Sequence, residues 1–226
     1  MTADRRTEDE PPAEDLQAVY NRIAGHFAQT REYAWPEVEG FVETEIDRRG
    51  GLKRTLDLGC GNGRHAQLLA EHGAEVIGLD VSRGLLAAAR ERAIDREFDV
   101  HLVHGDAGRL PFENERFSQV VYVATLHHLP TREARQASLS EVGRVLEPGG
   151  RGLVSAWSTA HDRFEATEGF DTTVDWTLPG GEQVGRYYHI YDPEEFREDL
   201  EAAAIEVLDC RISSGNCYAV VGPEIL

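Results

Sequence analysis

Lysine is almost absent: Lys53 is the only one in 226 residues, and arginine supplies every other fixed cation. Against 23 basic residues stand 41 acidic ones, a net charge of −18. A surface poor in lysine and dense in carboxylate stays hydrated where salt screens charges to within about 3 Å at 1 M. Composition therefore suggests a salt-rich cytosol, such as that of a halophilic archaeon; the alternative is a mesophile with an acidic tail, in which a GC-rich genome would account for the scarce lysine. The same acidity argues against loose binding to nucleic acid in dilute salt but leaves room for a local arginine-lined site. Cysteine is scarce too. Cys60, Cys210 and Cys217 are too few and too irregularly spaced for a disulfide framework, and with no CxxC or HExxH no metal centre is expected. No run of eighteen apolar residues occurs, and the opening MTADRRTEDEPPAED is polar where a signal peptide needs an apolar stretch. A cytoplasmic chain with no membrane association is expected.

What is present begins at Thr55. TLDLGCGNGRH is a short apolar run, then Gly59, Gly61 and Gly63 at alternate positions, then the helical stretch HAQLLAEHG. Glycine tolerates positive φ and has no Cβ, so the backbone can pass close beneath a ligand at a helix N-terminus. A dinucleotide fingerprint needs glycine or alanine at position 64, where this chain has Arg64. The pattern is therefore GxGxG. A second run, AEVIGLD, ends in Asp80 about twenty residues later, the separation at which a strand-terminal carboxylate meets ribose hydroxyls. VHLVHGD ends in Asp106, and QVVYVATLHHL runs into His127 and His128. Ligands of open α/β sheets bind outside the carboxyl ends of strands, so these acids and histidines converge on one crevice.

The spacing predicts helices over 14–30, 36–49, 63–72, 83–93, 132–147 and 194–203. It predicts strands over 54–58, 75–79, 99–104, 118–124, 152–157 and 205–212, with a last strand over 217–223. Alternating strands and helices make a parallel sheet. One α/β domain over 14–226, with an N-terminal helical cap and a disordered acidic tail over 1–13, fits the length. Residues 158–186 are polar, glycine-rich and unassigned, and read as an insertion over the active site.

With Asp57 two residues before the first glycine, the turn resembles motif I of the class I S-adenosylmethionine (SAM) methyltransferases, a Rossmann-like fold. The resemblance implies SAM as cofactor. Gly59, Cys60, Gly61 and Asn62 would lie under its methionine, Asp57 would help place the amino group, and Asp80 with Val81 would meet the ribose. Asp106 with Ala107 would meet the adenine, and Ala124 would form the floor. Adjacent residues rarely point the same way, so of the two histidines the acceptor role is assigned to His127.

More narrowly, the chain resembles the tRNA wobble-uridine carboxymethyl methyltransferases. The resemblance rests on YNRIAGHFAQTREYAWPEV at 20–38, DAGRLPF at 106–112, VATLHHLPT at 123–131, GRVLEPGGRGLVSAW at 143–157, RYYHIY at 186–191 and GNCYAVV at 215–221. It departs at Cys217, where the family usually has tryptophan, and at Ser118, where it often has aspartate. It implies esterification of a carboxymethyluridine carboxylate, an acceptor already nucleophilic at neutral pH, so that positioning and not a strong base carries catalysis. Arg31 and Arg186 are the candidates for holding that carboxylate or a nearby phosphate. Tyr187, Tyr188 and His189 would fence in the base. Family members often work as heterodimers with a small zinc-binding activator, which would pair with the third strand, the sheet edge of a 3-2-1-4-5 order. A small-molecule methyltransferase of the quinone-precursor type is the alternative, and a non-catalytic SAM-binding partner a third reading.

Overall fold

The computed structural model describes residues 15–224, so the tail expected over 1–13 lies outside the described residues. Helix α1, Leu16–Gln29, starts where the Asp15 side chain accepts from the Gln17 amide, and it buries Val19, Tyr20, Ile23 and Ala24 on one face. Pro36 opens α2, Pro36–Arg49, and Gly50 at φ 75° ends it. There follow β1 (Arg54–Leu58), α3 (Arg64–Glu71), β2 (Glu75–Asp80), α4 (Arg83–Asp95), β3 (His101–His104) and β4 (Phe117–Tyr122). A 3-10 turn, Leu126–His128, leads to α5 (Arg132–Val145), β5 (Leu146–Trp157), β6 (Phe170–Thr177) and β7 (Gln183–Ile190). The chain ends in α6 (Pro193–Ala202), β8 (Ile205–Ser213) and β9 (Asn216–Pro223).

Seven strands form one sheet in the order β3-β2-β1-β4-β5-β9-β8. Strands β1 to β5 are parallel, and β9 runs antiparallel to both its neighbours. This is the predicted 3-2-1-4-5 order extended by two strands. Every residue of β4 is buried, as a central strand covered by helices on both faces requires. One core layer packs Leu139 and Val142 of α5 with Phe196 and Leu200 of α6; the opposite layer packs Val38, Phe41 and Val42 of α2 with Leu69 of α3.

Two expectations change. Helix α5 stops at Val145 because Leu146 already pairs with Phe117, and the bulge in this register carries Pro148 to Gly150 inside β5. The unassigned 158–186 holds most of an antiparallel hairpin, β6 with β7. This hairpin packs on α1, where Val184 and Trp176 join Tyr20, Ile23 and Phe27.

Candidate active site

The loops after β1, β2, β3 and β4 open on the same end of the sheet. The glycine turn after β1 has φ of 72°, 55° and 78° at Gly59, Gly61 and Gly63. A Cβ at Gly59 would overlap the Thr125 side chain, so the left-handed backbone and the close approach both demand glycine. The amides of Gly59 and Cys60 donate to the Leu79 carbonyl and that of Gly61 to Asp80 Oδ2 at 2.9 Å. These donors are satisfied internally, so at these three residues the turn offers a close backbone surface. Opposite it, Ala124 sits at φ 56°, a strained value for a residue with a Cβ.

A cavity of about 350 Å³ is walled by Leu16, Gly59, Asp80, Asp106, Ala107 and Leu129, among others. It shares Gly59, Asp80, Val81, Thr125 and His128 with a smaller space of about 100 Å³ that adds Cys60, Gly61, Asn62, Ala124, Tyr20 and Phe27. Together they have the size of a small-molecule site. Asp80 is buried, and burial raises its pKa against the opposing pull of the Ser82 and Gly61 amides. Each of its oxygens accepts one amide and keeps a lone pair for a ligand hydroxyl. Asp106 Oδ1 accepts from the Gly108 amide at 2.8 Å, which fixes the carboxylate at the cavity wall. Asp57 lies behind the turn, fully buried, with Oδ2 lacking a hydrogen-bond partner. Burial pushes its carboxyl to about 7. Asp57 lines neither space; a cavity of this size, with two carboxylates in its wall at Asp80 and Asp106, fits the adenosyl cofactor implied by the sequence.

The histidines divide differently from the expectation. His128 lines both spaces, whereas His127 is 1% exposed and lines neither, because the 3-10 turn aims it at Trp157 and Tyr188. His127 Nδ1 accepts from the Trp157 amide at 3.2 Å, and its ring stacks on Tyr188. His128 Nδ1 lies 2.9 Å from the Tyr187 carbonyl and must carry the proton. Its Nε2 therefore accepts from the Tyr20 hydroxyl at 2.8 Å. Burial drives His128 down to about 4 and His127 well below its ordinary value, so both are neutral near pH 7.

Arg31 and Arg186 do come together. The Arg31 guanidinium lies 5.0 Å from the Phe27 centroid and 5.4 Å from that of Trp176, and Arg186 lies 5.0 Å from Trp176. Arg186 Nη1 donates to the Tyr188 hydroxyl at 2.8 Å, and its buried Nε has no partner. Burial and then the charge of Arg186 lower the pKa of Arg31. Arg48, Arg96, Arg132 and Arg144 pair with carboxylates, yet neither Arg31 nor Arg186 does among the described residues. His189, expected at the acceptor, is held by Asp171 at 2.7 Å and Glu195 at 2.9 Å, and both its nitrogens are used in fastening the hairpin.

Sequence reading missed Tyr20, Phe27, Thr125 and Trp176. The first two carry the helical period of α1, which reads as core; Trp176 stands in the unassigned segment.

Residues 55–150 match the family described as Methyltransferase domain. A methyltransferase-named protein of Encephalitozoon cuniculi is 31% identical over 212 residues, 91% of this chain and 94% of that protein. The tRNA (carboxymethyluridine(34)-5-O)-methyltransferase of Saccharomyces cerevisiae is 36% identical over 174 residues, 75% of this chain but 59% of the yeast protein. The chain thus spans less than two thirds of that relative. Among solved structures, the CcbJ methyltransferase of Streptomyces caelestis superposes with a TM-score of 0.75 at 22% identity, over 93% of this chain and 100% of that one. On this similarity and this site, the chain belongs to the class I SAM-dependent methyltransferases.

Proposed function

We propose that the chain methylates the carboxylate of a 5-carboxymethyluridine at the tRNA wobble position. The observation that carries this reading is the Arg31–Arg186 pair around Trp176, two guanidiniums without a carboxylate partner among the described residues in a chain of net charge −18. Like charges drawn together need an anion, and a planar fork suits a carboxylate or phosphate. The tRNA-modifying name of the yeast relative supports the same class of acceptor.

The cofactor, when bound, supplies an electrophilic methyl group. Asp80 and Asp106 hold its nucleoside, and the turn from Gly59 to Asn62 underlies its amino-acid end. Arg31 and Arg186 orient the acceptor anion, while Tyr188 and Trp176 flank it. His128 stays neutral and fixes the Tyr20 hydroxyl, which suits an acceptor that needs no base. His127 supports this wall through its stack on Tyr188. The reading extends to a small zinc-binding activator on β3, the sheet's short outer strand, and to a salt-rich cytosol.

The test is transfer of labelled methyl from SAM, in multimolar KCl, to tRNA with and without carboxymethyluridine, with and without the activator. Label confined to modified tRNA is expected. No label on any tRNA, with SAM and activator bound, would move the assignment to a small-molecule acceptor.

A further inference from the structure

Asn62 was expected under the methionine of the cofactor, yet its side chain turns the other way. It is 4% exposed, and Nδ2 donates one hydrogen to the Ala28 carbonyl at 3.1 Å and the other to the Arg31 carbonyl at 2.8 Å. Ala28 lies in the last turn of α1, where its carbonyl also accepts from the Arg31 amide at 3.3 Å, and Arg31 follows just beyond the helix end. A residue of the glycine turn thus caps the helix that roofs the cavity. The other half of α1 is tied reciprocally, since Asn21 Oδ1 accepts from Ser82 Oγ and from the Gly84 amide, both at 2.9 Å. Ser82 also donates its amide to Asp80, the ribose acid. Helix α1 is therefore a bar across the cleft, fastened at one end to the ribose turn and at the other to the glycine turn. Phe27 near that second fastening lines the cofactor space and carries the Arg31 guanidinium on its ring.

We propose that Asn62 is a positioning residue that couples the glycine turn to the end of α1, so that filling the cofactor cavity sets the placement of Arg31. The turn on either side of it is held by Gly61 N to Asp80 and Gly63 N to the Cys60 carbonyl, so a shift in the turn reaches the Asn62 amide directly. Arg92 of α4 donates to the same Arg31 carbonyl at 3.3 Å, which keeps the segment docked when the turn is relaxed. Linkage is reciprocal: if cofactor orders Arg31, an anion bound to Arg31 tightens cofactor by the same factor. The coupling rests on the family's cofactor and on this geometry, not on tRNA as acceptor.

The experiment is amide hydrogen exchange over residues 27–33, with and without saturating S-adenosylhomocysteine, so no methyl acceptor is needed. Wild type is expected to slow by about tenfold on filling, a typical coupling between linked sites. Asn62→Ala, compared at saturation to remove any change in affinity, is expected to slow by less than about twofold. Asn62→Gln, which keeps a two-hydrogen amide, restores part of the protection. Should Asn62→Ala not fold, Asn62→Ser, with one donor in place of two, is expected to fall between. Equal protection in wild type and the variants, or none in wild type, overturns the proposal. Failure of methyl transfer to tRNA leaves this readout unchanged.

Discussion

Asp57 carries a pH dependence that can be isolated. Its folded carboxyl sits at about 7 because burial disfavours the charge, against an ordinary value of 3.8. A pKa raised on folding means that the folded chain holds the proton more tightly. The contribution is complete below about pH 4 and is lost as pH rises through 7. At about 1.4 kcal/mol per pKa unit the loss is a few kcal/mol at most. Asp57→Asn cannot ionise, so the stability of wild type relative to this variant should fall between about pH 4 and about pH 7, and level off above, in denaturant titrations of the apoprotein. A constant difference would mean that Asp57 stays charged throughout. Asp80 and Arg31 should separate by function. Asp80→Ala removes the carboxylate at the nucleoside end and is expected to weaken SAM binding by at least about a hundredfold by calorimetry, the loss of a buried charged acceptor. Arg31→Ala should keep SAM affinity and lose transfer; unchanged transfer would dismiss the arginine pair. The strand-end acids were legible because a parallel strand presents its last residue to the crevice. The choice between His127 and His128 was not, because a one-residue rotation in a 3-10 turn leaves no trace in composition.

At the scale of elements, the hairpin β6–β7 is the piece the sequence hid. Only Val174 of β6 is fully buried, against Tyr188 and Ile190; Phe170, Thr172, Val174 and Trp176 do alternate with exposed residues, but a threonine on the inner face and polar, glycine-rich flanks mask that period of two. Helices and strands of the central sheet were legible within a few residues, because each buries a face against a layered core. What fastens the hairpin side to the body is a set of buried charges that periodicity does not report. Asp199 of α6, fully buried, accepts from Arg132 Nε at 2.5 Å, Gln136 Nε2 at 2.9 Å and the Tyr191 hydroxyl at 3.0 Å. Arg135 of α5 lies 3.5 Å from Glu195, which also holds His189 of β7. Removing Asp199 leaves the 4% exposed Arg135 side chain and the Tyr191 hydroxyl short of a buried acceptor. Asp199→Ala is therefore expected to cost about 3 kcal/mol, as breaking one side of a buried ion pair does. The measurement is the shift in denaturation midpoint. A cost under about 1 kcal/mol, the usual worth of an exposed pair, would mean that water reaches this network.

Across the whole molecule, the net charge of −18 outweighs any single ion pair in setting how stability responds to salt. Self-repulsion among surface carboxylates favours expansion, and it acts over the Debye length, about 10 Å at 0.1 M salt and 3 Å at 1 M. Buried pairs such as Arg135–Asp199 lie inside that distance and away from solvent, so salt weakens the repulsion far more than the internal attractions. Raising KCl from about 0.1 M to about 2 M should therefore stabilise the fold. A gain of about 3 kcal/mol corresponds to roughly 10 °C in melting temperature for a chain of this size. An equal osmolality of sucrose separates screening from general exclusion of solutes, because a neutral solute leaves the repulsion in place. If KCl and sucrose raise the melting temperature equally, charge is not the cause. If KCl lowers it, surface ion pairs such as Arg96–Glu32 outweigh the repulsion, and the acidic composition has another origin than salt. The same titration bears on the acceptor. Arg31 and Arg186 lie against aromatic rings and partly out of solvent, so an anion between them is less screened than one on an open face. Acceptor binding that survives about 2 M KCl is the behaviour expected of such a site, and binding that vanishes there would place the contacts on the exposed surface.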